Sequence, residues 1–162
     1  MTQRTVIHPW NDDEAAEIVA AHKHMPGAML PMLHALLEAF GYVDAAAIPV
    51  IAEALNVSKA EVHGVIGFYH DFRTEPAGKH VLKLCRAEAC QSMGCESLID
   101  HVERRLRVKL GETSTDGGFT VEAVYCLGNC ALSPAAMLDG KLYGRVSPEF
   151  ADGLIAAARG RA

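Results

Sequence analysis

The sequence predicts an α/β protein in two parts: a helical bundle over residues 1–76, then a mixed four-stranded sheet with two helices over 77–162. Three observations predict it. Before Thr74-Glu75-Pro76-Ala77-Gly78 the apolar residues recur at spacings of three and four, the period of a helix face. After that stretch they alternate, as strand residues do when one side of a sheet is buried. Two cysteine pairs, Cys85/Cys90 and Cys126/Cys130, each begin where an alternating segment ends.

Taken in order, a first helix is expected from Asp13 to Ala21. Leu30, Leu33, Leu37 and Phe40 form the stripe of a second, with Pro31 tolerable in its first turn and Gly41 as its stop. Ile48, Ile51 and Leu55 mark a third. Ser58-Lys-Ala-Glu61 reads as a capping box opening a fourth, whose stripe is Val62, Val65, Ile66 and Tyr69. His80-Val-Leu-Lys-Leu84 is then a strand running into Cys85, and a helix should follow from Ser92 to Arg107. Phe119 to Tyr125 alternates like a strand and delivers Cys126. Ala136 to Tyr143 is a hairpin turning at Asp139-Gly140, and Pro148 starts a last helix to about Arg159. The order β-α-β-β-β-α makes one mixed sheet with two helices.

Composition narrows the function. Half of the 162 residues are hydrophobic, so the chain is neither disordered nor fibrous. No apolar run is long enough to span a bilayer, and the polar start Met1-Thr-Gln-Arg4 does not read as a signal peptide. A cytoplasmic protein without membrane insertion is therefore expected. Residues 1–78 carry four Lys/Arg against ten Asp/Glu, whereas 79–162 carry eleven against ten. This acidity decides how Ile51 to Ile66 is read. Helix, turn and capped helix suggest a DNA-binding motif, but the second helix would offer only Lys59, Glu61 and His63 to phosphates. A packing module fits better, and no nucleic-acid partner is expected. Gly64-Val-Ile-Gly67 lacks the spacing and preceding strand of a phosphate loop, so nucleotide cofactors would belong to other subunits.

The cysteines carry the chemistry. Two irons bridged by two sulfides need four thiolates, and C-x₄-C followed after 35 residues by C-x₃-C can supply them. A structural zinc site is the chemical rival, although its knuckles are usually the tighter C-x₂-C. Disulfides fit a reducing cytosol poorly, and no C-x-x-C exchange motif occurs. Cys95 is left over as a small hydrophobe or alternative ligand. Around Cys126/Cys130, Gly128 and Asn129 suit left-handed backbone angles that turn N–H groups toward sulfur. After Cys90, the positive end of the next helix is expected to face the same charge. His22 and His24, His63 and His70, and His101 make poor metal sites. Arg104, Arg105, Arg107 and Lys109 read as complement to a helix C-terminus.

These residues carry a family resemblance over about residues 25–158. Its segments are Phe68-Tyr-His-Asp-Phe72, the Cys85/Cys90 loop with Gly94, Cys126-Leu-Gly-Asn-Cys130 followed by Ser133-Pro134, and Pro148-Glu149. The chain resembles the thioredoxin-like [2Fe–2S] subunits of NADH:quinone oxidoreductase (its 24 kDa subunit), NAD-linked hydrogenases and NAD-dependent formate dehydrogenases. Glu61-Val-His-Gly-Val65, Phe72-Arg-Thr-Glu-Pro76 and Cys85-Arg-Ala-Glu-Ala-Cys90 look most like the gamma subunit of a molybdenum-dependent formate dehydrogenase. The resemblance implies a thioredoxin-like domain over 77–162; the helical bundle over 1–76 cannot bury all its apolar stripes alone and is expected to be a docking domain for the flavin-bearing subunit. The resemblance also implies a [2Fe–2S] cluster with Cys85 and Cys90 on one iron and Cys126 and Cys130 on the other. The implied partners are a beta subunit binding FMN and NAD and an alpha subunit with a molybdenum cofactor, with further iron–sulfur clusters between them. No residue of this chain would act directly on formate.

Overall fold

The computed structural model describes residues 9–160, so the polar start Met1–Arg4 lies outside the described residues. Two compact units meet in sequence at Pro76 and Ala77.

The first unit is all helix. α1 (Asp12–His22) is capped by the Asn11 side chain, which accepts the Glu14 N–H at 2.9 Å. α2 (Met29–Phe40) ends at Gly41, whose φ of 77° is the left-handed angle that stops a helix. α3 (Ala47–Leu55) ends at Asn56, also left-handed. α4 (Lys59–Phe68) begins with the full capping box between Ser58 and Glu61. The buried face of α2 is centred on Met32, Leu33, Leu36 and Phe40, while Leu30 and Leu37 of the expected stripe are only half-buried. These side chains join Val19, Val43, Ile48, Ile51, Val62, Ile66 and Phe72 in one core. Tyr69, expected on the α4 stripe, caps that helix and is 42% exposed.

The second unit holds β1 (His80–Cys85), α5 (Glu88–Ser92), α6 (Cys95–Leu106), β2 (Phe119–Val124), β3 (Ala136–Leu138), β4 (Lys141–Tyr143) and α7 (Pro148–Arg159). The sheet order is β2-β1-β3-β4. β1 and β2 run parallel, with His80 opposite Phe119 and Cys85 opposite Val124; β3 pairs antiparallel with both β1 and β4. The helix expected from Ser92 to Arg107 is α6, which starts only at Cys95 because the left-handed Gly94 (φ 83°) precedes it; the short α5 before it is an addition the sequence does not signal. Leu98, Ile99, Val102 and Leu106 of α6 and Ala151, Ile155 and Ala158 of α7 pack with Leu82, Leu84, Phe119 and Val121 of the sheet. Cys85, Cys90 and Cys95 belong to the same core.

Candidate metal centre

Parallel pairing of β1 and β2 brings their C-terminal ends side by side, and each end opens into a cysteine loop. Cys85 is the last residue of β1, and Cys90 lies within α5. Cys126 follows β2 after Tyr125, and Cys130 opens a short 3-10 turn, Cys130–Leu132. All five cysteines are free thiols; Cys85, Cys90 and Cys95 are buried, whereas Cys126 and Cys130 are exposed.

The four thiols form two pairs. Cys126 Sγ and Cys130 Sγ stand 3.8 Å apart. Two thiolates on one tetrahedral metal at roughly 2.3 Å are separated by about 3.8 Å, so this pair already has the spacing of one coordination edge. Cys85 and Cys90 share a thiol hydrogen bond. Among the described residues no three His, Cys, Asp or Glu side chains converge on a single point that one ion could fill. Two separate thiol pairs suit a binuclear group with two ligands per metal better than one four-ligand ion.

Backbone N–H groups surround the sulfurs, and they come from both loops. Cys85 receives the N–H groups of Ala87 and of Leu127, the latter from the other loop. Cys90 receives that of Ala135, and Cys126 that of Gly128 at 3.3 Å. Positive φ falls on Gly128 (74°) and on Cys126 itself (132°), not on Asn129, whose φ is −113°. A non-glycine residue at 132° is strained, and here it is a thiol-bearing one. The expected helix N-terminus after Cys90 is also displaced: α6 begins at Cys95, and loop N–H groups face the sulfurs instead.

Titration of the thiols follows from these neighbours. Burial pushes Cys85 above its ordinary range, against the lowering effect of the Ala87 N–H. Burial also works on Cys90, but the Ser133 hydroxyl, the Ala135 N–H and the Cys85 thiol together bring it below its ordinary value. The adjacent Cys126 thiol raises Cys130. Burial, followed by the Glu96 carboxylate, raises Cys95 as well.

Several supports escaped sequence reasoning. Arg86 grips Glu96 with two hydrogen bonds, Nε to Oε1 at 3.0 Å and a terminal nitrogen to Oε2 at 3.1 Å, tying the residue after Cys85 to α6. A ten-residue separation gives no periodic signal for such a pair. Gly144 is required by close approach: a Cβ there would lie 2.6 Å from Leu132 Cβ and 2.7 Å from Asn129 Nδ2, in the Cys126/Cys130 loop. Ser133, which the sequence shows only as half of Ser133-Pro134, is a buried polar residue. The basic end of α6 is largely satisfied internally: Lys109 pairs with Glu103 at 2.7 Å and Arg105 with Asp152 at 3.1 Å. His101 sits 3.1 Å from the same Asp152 carboxylate, away from the thiols.

The family model described as thioredoxin-like [2Fe–2S] ferredoxin matches residues 15–159. The chain belongs to that family. An NADH-quinone oxidoreductase subunit from Pseudomonas aeruginosa is 34% identical over 143 residues, 88% of this chain and 79% of that protein. HndA, a subunit of the NADP-reducing hydrogenase of Solidesulfovibrio fructosivorans, is 30% identical over 135 residues, covering 83% and 79%. An NAD⁺-reducing [NiFe]-hydrogenase crystal structure overlays 99% of the chain with a TM-score of 0.68 at 22% identity, which shows a shared fold. The chain spans 23% of the length of that hydrogenase chain. Family membership gives the chain one [2Fe–2S] cluster and an electron-carrier role. As a member of this ferredoxin family the protein offers thiols in the number and pairing such a cluster needs.

Proposed function

We propose that Cys85, Cys90, Cys126 and Cys130 hold the [2Fe–2S] cluster of an electron-transfer subunit in a multisubunit, NAD-linked oxidoreductase. The observation that carries this reading is the pair of thiol loops at the adjacent ends of two parallel strands. When bound, the cluster supplies one-electron redox chemistry. The chain's own residues do the rest. Cys85 and Cys90, 2% and 1% exposed, anchor one side in the core, and the exposed Cys126/Cys130 pair faces outward. N–H groups of Ala87, Leu127, Gly128 and Ala135 aim positive charge at the sulfurs and favour the more negative, reduced state. Tyr125, 74% exposed, and Met93, 61% exposed, flank the thiols as apolar surface for a partner.

Flavin and NAD would be bound by a partner subunit. The helical unit is the proposed docking domain, with Phe68 73% exposed at the end of α4. No helix among the described residues is long and apolar enough to cross a membrane, in keeping with the proposed cytoplasmic setting.

The finer reading is the gamma subunit of a molybdenum- and FMN-containing formate dehydrogenase that reduces NAD⁺. It rests on the motifs Glu61–Val65, Phe72–Pro76 and Cys85–Cys90. The equivalent subunit of a quinone reductase or a hydrogenase is the second reading, favoured by the assemblies to which the relatives belong. Anaerobic pull-down of the tagged chain from its native host, followed by assay of formate-driven NAD⁺ reduction, separates them. Formate activity supports the dehydrogenase. NADH oxidation without formate activity assigns the chain to one of the other assemblies.

A further inference from the structure

Ser133 contacts one residue of each cysteine pair, a thiol of the first and a backbone carbonyl of the second. Its Oγ stands 3.5 Å from Cys90 Sγ and donates a hydrogen bond to the Cys130 carbonyl at 2.8 Å. The residue is 8% exposed, so water competes little for its hydroxyl. A hydroxyl has a single proton and a freely turning O–H bond. With Cys90 a neutral thiol, the chain of donors runs S–H to Oγ, then O–H to the Cys130 carbonyl. Once Cys90 is a metal-bound thiolate, that S–H is gone, and an Oγ lone pair would face a negative sulfur. Turning the O–H toward Sγ removes this repulsion and makes a charge-assisted hydrogen bond, at the cost of the one to the Cys130 carbonyl.

We propose that Ser133 is a positioning residue whose hydroxyl switches its proton from the Cys130 carbonyl to Cys90 Sγ and thereby raises the reduction potential of the cluster. The inference rests on the four-cysteine reading of the proposed function. Reduction adds one electron and no proton, so the charge on the thiolate sulfurs grows and the Ser133 hydrogen bond strengthens. Hydrogen bonds to sulfur stabilise the reduced form in this way. Ser133 also lines an adjacent cleft of about 640 Å³ with Arg145, and threonine is the variant that keeps its hydroxyl.

The test is a redox titration of the full-length chain, followed by its visible absorption and the EPR signal of the reduced cluster, with iron and sulfide assayed alongside. Ser133→Ala should shift the midpoint potential to a more negative value at unchanged iron and sulfide content, and Ser133→Thr should restore it. An unchanged potential in Ser133→Ala overturns the proposal, as does an equal shift in Ser133→Ala and Ser133→Thr, which would mark a packing effect. If Ser133→Ala fails to assemble a cluster, Ser133→Thr decides alone: a wild-type potential supports the hydroxyl, and a lowered one overturns it. Wild-type protein without iron and sulfide would overturn the four-cysteine reading itself, and this inference with it.

Discussion

At the scale of single residues, the four thiols are not equivalent, and their differences follow from position. Cys85 ends a strand and Cys90 lies in a short helix, both in the core; Cys126 and Cys130 lie in an exposed loop held by left-handed backbone angles. Cys95 shares the core of the first pair but begins α6, with its nearest polar contact a Glu96 carboxylate oxygen at 4.0 Å. Cys95 thus lies outside both pairs, beyond the left-handed Gly94 and in the first turn of α6. Cys85→Ser and Cys126→Ser are therefore expected to abolish the cluster, with loss of visible colour and of the reduced-state EPR signal. Cys95→Ser should retain both. Bleaching of Cys95→Ser would move the ligand set toward that residue. The cysteine spacing was readable in the sequence because ligand chemistry is local. The Arg86–Glu96 clamp and the central place of Ser133 were not, since each depends on how two loops fold against one another.

At the scale of elements, local signals were trustworthy where a cap or a turn set them. The Ser58 capping box, the Gly41 stop, the Asp139-Gly140 turn and the Pro148 start all lie where their chemistry puts them. Periodicity alone did less well. It gives no sign of the short α5, and it starts α6 at Ser92, ahead of the left-handed Gly94 that holds the helix back to Cys95. It also misplaced the centre of the α2 face by a residue, where packing rather than spacing decided. The α4 cap makes a sharp test. Glu61 Oε2 accepts the Ser58 N–H and its hydroxyl, both at 2.8 Å, and these bonds hold the carboxyl below its ordinary value of 4.5. Ser58→Ala should cost roughly 0.5–2 kcal/mol at neutral pH, read as a lower urea midpoint. Because the folded-state value is the lower one, the stabilising contribution of Glu61 is fully present above 4.5 and fades as pH falls through the depressed value. The difference between wild type and Ser58→Ala should narrow under acid. A difference that stayed constant down to pH values well below 4.5 would show that the carboxylate takes no part.

At the scale of the whole molecule, division of labour follows division of cores. One set of apolar side chains, all before Pro76, builds the helical unit; another, all after it, builds the sheet unit and includes Cys85, Cys90 and Cys95. The acidic half of the sequence is thus the half without metal chemistry, and the site depends on the sheet that carries it. Composition and period change mark that boundary in the sequence, and the β-α-β-β-β-α succession predicts one mixed sheet without its order, β2-β1-β3-β4. Nor could the succession convey that the connection from β2 to β3 donates hydrogen bonds to the sulfurs of the first pair, Leu127 to Cys85 and Ala135 to Cys90.

The central claim is that this one chain binds a [2Fe–2S] cluster through two thiol pairs. Iron, zinc and acid-labile sulfide should be measured on the full-length protein purified without oxygen. The account predicts about two irons and about two sulfides per chain, with little zinc. One zinc per chain and no labile sulfide would contradict it, and would make the same four thiols a structural site.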